Sequence, residues 1–182
     1  MPSTPRLTIV PGINGSDQAH WQTRWQASTD VRIRPASWDE PDLDDWVRAV
    51  DAAVTDPDTI LVAHSLGCLA AAAWLATNPG RVRGALLVAP PDRSGPWFPA
   101  AAASFHRLEP APLGVPALVL ASGDDPFSSL AAARSLATAW AADIAEVGNL
   151  GHINSASNLG DWPAGRAVLA EFASTLVKEN HR

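Results

Sequence analysis

Six short apolar runs punctuate this chain, and most are followed by a longer stretch with helical spacing. The runs are residues 7–10, 31–34, 59–63, 82–89, 117–121 and 144–147. Between them, Leu43, Trp46, Val47, Val50 and Val54 recur at helical intervals behind Asp42, a residue suited to cap that helix. Further helical stretches are expected at about 18–27, 68–76 and 128–141, with a last helix starting near Trp162-Pro163. Strands alternating with helices predict an α/β fold: a parallel sheet of about six strands, covered by helices on both faces. One stretch breaks the rhythm. Residues 90–116 hold seven prolines together with Trp97, Phe98 and Phe105. At 182 residues the chain is expected to form one domain spanning 1–182, without a large cap domain.

Composition removes several functions. The formal charge is −6 and the only lysine is Lys178, so the clustered basic surface that nucleic acid requires is not expected. Cys68 is the only cysteine, and no Cys/His spacing matches a zinc site. The acidic run from Asp39 to Asp45 reads as helix N-terminal charge, not as a cation site. No metal and no cofactor are expected. Residues 1–10 lack a basic segment followed by an apolar stretch, and no apolar run approaches about 20 residues, so neither a secretory leader nor membrane contact is expected. The reading is a cytoplasmic protein, with nothing in the sequence to assign an oligomeric state.

The chemistry is concentrated at Ala63-His64-Ser65-Leu66-Gly67. An apolar strand runs into this segment and an alanine-rich helix leaves it. That is the setting in which a tight turn lifts a serine clear of the sheet. A serine hydroxyl needs a base to become nucleophilic, and the base needs an orienting carboxylate. On this fold the order is expected to be Ser, acid, His. Of five histidines, His64 adjoins the serine and should point away, and His20 precedes it. His106 lies in the proline-rich stretch and His181 in the terminal tail. His152, in the loop after the last strand, remains as base. Asp124 and Asp125 both follow the strand at 117–121, and Asp92 follows the one before, so three acids compete. The oxyanion needs two N–H donors. The expected pair is the amide of Leu66 and that of Ile13, in the loop after the first strand. Gly12 there lets the backbone come close to the substrate.

These segments resemble the YdeN and retinoblastoma-binding-protein-9-like small serine hydrolases, a compact branch of the α/β-hydrolase fold. The similarity runs through Val10-Pro11-Gly12 with Ser16, His20-Trp21 and Trp25, then residues 63–68, and Leu87-Val88-Ala89-Pro90 with Asp92. It continues through Asp125-Pro126-Phe127, Gly151-His152-Ile153-Asn154 and Gly160-x-Trp162-Pro163. One departure is visible: Ala63 stands where the turn usually has glycine. The resemblance implies Ser65 as nucleophile, Asp125 as acid and His152 as base. It also implies hydrolysis of small-molecule carboxylic esters. Gly12, Asn14, His64, Trp97 and Phe98 are the expected substrate contacts, with Trp97 and Phe98 roofing an acyl pocket. Cys68 is read as core.

Overall fold

The structure, a computed structural model, describes residues 5–179. Six parallel strands form one sheet: β1 (Leu7–Val10), β2 (Val31–Arg32), β3 (Ile60–His64), β4 (Gly84–Val88), β5 (Ala117–Ala121) and β6 (Asp143–Glu146), in the order β2-β1-β3-β4-β5-β6. Among the described residues, five α-helices connect or follow them: α1 (Trp21–Trp25), α2 (Leu43–Ala53), α3 (Leu66–Thr77), α4 (Leu130–Ala139) and α5 (Pro163–Glu179). The expected second strand is cut to two residues. Pro35 has no amide to donate, although Ile33 N–H still reaches Ile9 O at 3.1 Å.

Strand residues alternate between two cores, as the two-residue period of a pleated strand demands. Val10, Leu61, Ala63, Ala85, Leu87 and Val119 face α2, α3 and α4. Leu7, Ile9, Ile60, Val62, Leu86, Val88 and Leu120 face α1 and α5. Helix α2 starts where expected, because the Asp42 carboxylate accepts from Asp45 N–H at 3.0 Å. Two further carboxylates of the acidic run are engaged in the fold: Asp44 pairs with Arg107 at 2.7 Å and Asp45 accepts from Ala36 N–H at 2.7 Å. The proline-rich excursion is not shapeless. Its 3-10 segment (Ala100–Arg107) lays Phe105 against Trp46, and Ser104 Oγ accepts from Leu43 N–H at 2.9 Å.

The strand order places the site. After β1 the chain moves outward to β2, then returns to the other side of β1 to build β3 and the rest. The carboxyl ends of β1 and β3 therefore lead into loops that diverge, leaving a crevice between them where α/β sheets bind ligands. Among the described residues, no helix is long and apolar enough to cross a membrane.

Candidate active site

Ser65 sits at the sharp turn between β3 and α3, with φ 54° and ψ −128°. A non-glycine residue rarely adopts that conformation, which costs about 1–3 kcal/mol and persists only where surroundings enforce it. Here they do. Ser65 N–H donates to Val88 O at 2.9 Å and Cys68 N–H donates to Ser65 O at 2.9 Å. Gly67 lies against the carbonyls of Val10 and Pro11, leaving no room for a Cβ. Ala63, two residues before the serine, is fully buried in the core on the α2–α3 face. A methyl is accommodated there, so the departure from glycine leaves the turn intact.

His152 Nδ1 lies 2.9 Å from both carboxylate oxygens of Asp125, and its Nε2 lies 2.7 Å from Ser65 Oγ. The carboxylate fixes the tautomer. With Nδ1–H donating to Asp125, Nε2 is free to accept the Ser65 hydroxyl proton. The Asp125 side chain is 2% exposed and the His152 side chain 9%, so little water competes for the pair. Asp125 also accepts from Phe127 N–H at 2.9 Å, and the Phe127 ring lies 4.5 Å from that of His152.

The other two acids have different work. Asp124 accepts from Gly151 N–H at 2.7 Å and from Ser122 Oγ–H at 2.9 Å, and these bonds hold its carboxyl below the usual range. It ties down the loop that carries His152. Asp92 accepts from Ser94 N–H at 2.8 Å in a local turn. Ser122 Oγ accepts from Leu150 N–H at 2.8 Å, and Gly123 N–H donates to Gly148 O at 2.8 Å. The loop after β5 and the loop that carries His152 are thus fastened together.

Gly12 comes so close to the serine that a Cβ there would lie 2.8 Å from Ser65 Cβ and 3.4 Å from Ser65 Oγ. Ile13 N–H is the next amide along this loop. Neither Ile13 N–H nor Leu66 N–H has a hydrogen-bond partner among the described residues. Asn14 is exposed on the same loop in a left-handed turn (φ 65°), with its N–H donated to Trp38 O at 2.9 Å.

The side chains of three expected substrate contacts lie away from Ser65. His64 is only 4% exposed and turns into the protein, where its Nε2–H donates to the main-chain carbonyl of His152 at 2.9 Å. It lies behind the site. Phe98 packs on the α2–α3 core beside His106, while Trp97 is 67% exposed. The aromatic neighbours of His152 are His64 and Phe127, not these two. Phe127 ends the segment Asp125-Pro126-Phe127 and Asp124 directly precedes it, and spacing does not reveal the contacts either makes. Gln22 was missed altogether. It is fully buried, donates from Nε2 to Val62 O at 3.0 Å and accepts from Ser16 Oγ–H at 2.6 Å, joining the first loop to β3. His181 lies outside the described residues. A cleft of about 330 Å³ between α4 and the loop after β4 contains none of the Ser65, Asp125 and His152 side chains.

A strained serine at a strand–helix turn, on a six-stranded parallel sheet covered by helices on both faces, defines an α/β hydrolase. The chain belongs to the serine hydrolase family, whose model matches residues 7–171. A solved structure from Pectobacterium atrosepticum, described as a YdeN-like hydrolase, is 36% identical with a TM-score of 0.83, over 94% of this chain and 91% of that one. The ydeN gene product of Bacillus subtilis is 23% identical with a TM-score of 0.77, over 94% of this chain and 100% of that one. Est1E from Butyrivibrio proteoclasticus, solved with ferulic acid bound, is 11% identical with a TM-score of 0.67, over 98% and 90%. These last two share the fold. A comparison with curated proteins returns no match.

Proposed function

We propose that this serine hydrolase cleaves carboxylic esters of small molecules, and thioesters by the same chemistry, through an acyl-enzyme on Ser65. The observation that carries the reading is the unbroken line from Ser65 Oγ to His152 Nε2 to the Asp125 carboxylate, at 2.7 and 2.9 Å. In the reading, Ser65 Oγ attacks the ester carbonyl while His152 takes its proton. The imidazolium so formed is stabilised by Asp125 and returns the proton to the leaving alkoxide. Water, activated by the same imidazole, then releases the acid. The unpartnered N–H groups of Ile13 and Leu66 are the proposed oxyanion donors. The amino end of α3 adds its dipole to the Leu66 donor. With a short excursion in place of a cap domain, small or slender acyl groups are the expected substrates.

The test is intact-mass analysis after treatment with a fluorophosphonate probe, run beside turnover of p-nitrophenyl esters from acetate to laurate. One adduct on the wild type, absent in Ser65→Ala, with turnover favouring the short esters, is the expected result. A folded wild type that takes no adduct would overturn the reading in favour of a hydrolase fold used as an interaction scaffold. Preference for laurate would overturn the acyl-size claim alone.

A further inference from the structure

The loop that carries the base contains an unfavourable residue. Ile153, directly after His152, has φ 49°, a left-handed conformation that β-branched side chains avoid. Side chains from other elements hold the backbone on both sides of it. His64 Nε2–H donates to His152 O at 2.9 Å, and Trp21 Nε1–H donates to Ile153 O at 2.7 Å. On the amino side, Gly151 N–H is held by Asp124. One of these donors has a special place in the chain: His64 is covalently adjacent to Ser65.

We propose that His64 is a positioning residue for the base. It is bonded to the nucleophile's residue through the chain and to the base's own carbonyl through Nε2–H. Ser65 Oγ and His152 Nε2 are thereby referenced to one stretch of backbone, which sets their 2.7 Å separation. The role rests on the triad reading above.

The surroundings suit a neutral donor. A bond to a carbonyl requires the proton on Nε2. The titratable groups facing His64 are His20, whose ring lies edge-on at 4.7 Å, and His152, at 5.1 Å; Trp21 stands 6.0 Å away. Burial and the two neighbouring imidazoles hold His64 well below the ordinary histidine range. Neutrality matters, because a cation here would repel the imidazolium that forms on His152 during turnover. An apolar residue of similar size would fill the space but leave the His152 carbonyl without its donor. A histidine serving only as core filler predicts that such a residue is harmless.

The discriminating variants are His64→Leu, which removes the donor, and His64→Gln, which keeps an amide N–H at the same side-chain depth. Fluorophosphonate labelling rates, kcat and KM for p-nitrophenyl acetate, and thermal melts would be measured together. Misplacing a catalytic group by about 1 Å costs up to about 100-fold, so kcat of a folded His64→Leu should fall about 10- to 100-fold with KM within about twofold. His64→Gln should recover to within about fivefold of wild type. A folded His64→Leu that labels at the wild-type rate overturns the proposal, as does a folded His64→Gln no better than His64→Leu. Nitrogen-15 NMR of histidine-labelled wild type gives a second test independent of any variant. At neutral pH His64 should be the Nε2–H tautomer, and an Nδ1–H tautomer would overturn its role. Absence of labelling on the wild type would instead bring down the triad reading, and this role with it.

Discussion

Adjacent residues with the same side chain do different chemistry here. Asp125 faces the imidazole and Asp124 faces the main chain of the loop that carries it. The distinction predicts a contrast between two isosteric variants. Asp125→Asn should lower kcat by about 10⁴-fold, because an amide no longer enforces the Nδ1–H tautomer. Asp124→Asn should stay within about tenfold of wild type, because its amide oxygen can still accept from Gly151 N–H. Steady-state kinetics on one short ester decides the matter, and equal losses in both variants would refute the division of roles. Spacing left Asp124, Asp125 and Asp92 as candidates, and only the resemblance favoured Asp125. Which of two neighbours in a turn points at an imidazole 27 residues later depends on the turn's dihedrals. Those are not written in residue type.

At the scale of elements, the turn between β3 and α3 is packed tightly against β1. Helix α3 is apolar on every side, and its residues from Leu66 to Ala72 are all buried, as expected for a helix wrapped by other elements. The helix starts so close to β1 that Gly67 meets the carbonyls of Val10 and Pro11. Gly67→Ala should therefore destabilise the fold by at least about 3 kcal/mol, through overpacking against backbone that cannot move aside. A urea melt would measure it, and a loss under about 1 kcal/mol would show that α3 can shift. The strand–turn–helix sequence was legible from residue types, since an apolar run, small residues and an alanine-rich stretch dictate it. The structural difference between the small positions was not. Ala63 lies within the sheet, whereas Gly67 abuts a neighbouring strand.

The whole molecule is two cores on one sheet, and buried histidines lie where the α1 side meets the site. His20 caps α1 by accepting from Gln22 N–H through Nδ1 at 3.1 Å, is 4% exposed, and packs against His64. Burial is the main cause that lowers it from an ordinary 6.5 to about 4; Arg32 and His152 push the same way, and Asp17 opposes them. The unfolded chain therefore binds a proton at this residue below about pH 6.5 that the folded chain refuses until about pH 4. Stability should fall as pH drops through that window, with His20 contributing roughly 3 kcal/mol in full. His64 is lowered by burial too and adds to the same slope. Replacing His20 by Asn keeps a capping oxygen and removes the titration. His20→Asn should flatten, without abolishing, the fall in urea midpoint between pH 7 and 4. A slope identical to wild type would show that His20 does not govern it.

Sequence by itself determined the class of this fold, because short continuous apolar runs alternating with helical periodicity have few solutions besides a covered parallel sheet. It also singled out Ser65 and His152, whose side chains meet at 2.7 Å. A serine between a strand and an alanine-rich helix, and a histidine in a loop after the last strand, are local features. The tertiary structure decided everything that depends on direction. It gave His64 its partner, the His152 carbonyl, and it separated Asp124 from Asp125. It laid Phe98 on the core while leaving Trp97 exposed, and it brought Gln22 and Phe127 to the site. Direction is set by φ and ψ at a few turns and by which loops the strand order makes neighbours. Contacts such as Trp21 to Ile153, 132 residues apart, come into being only when the sheet closes.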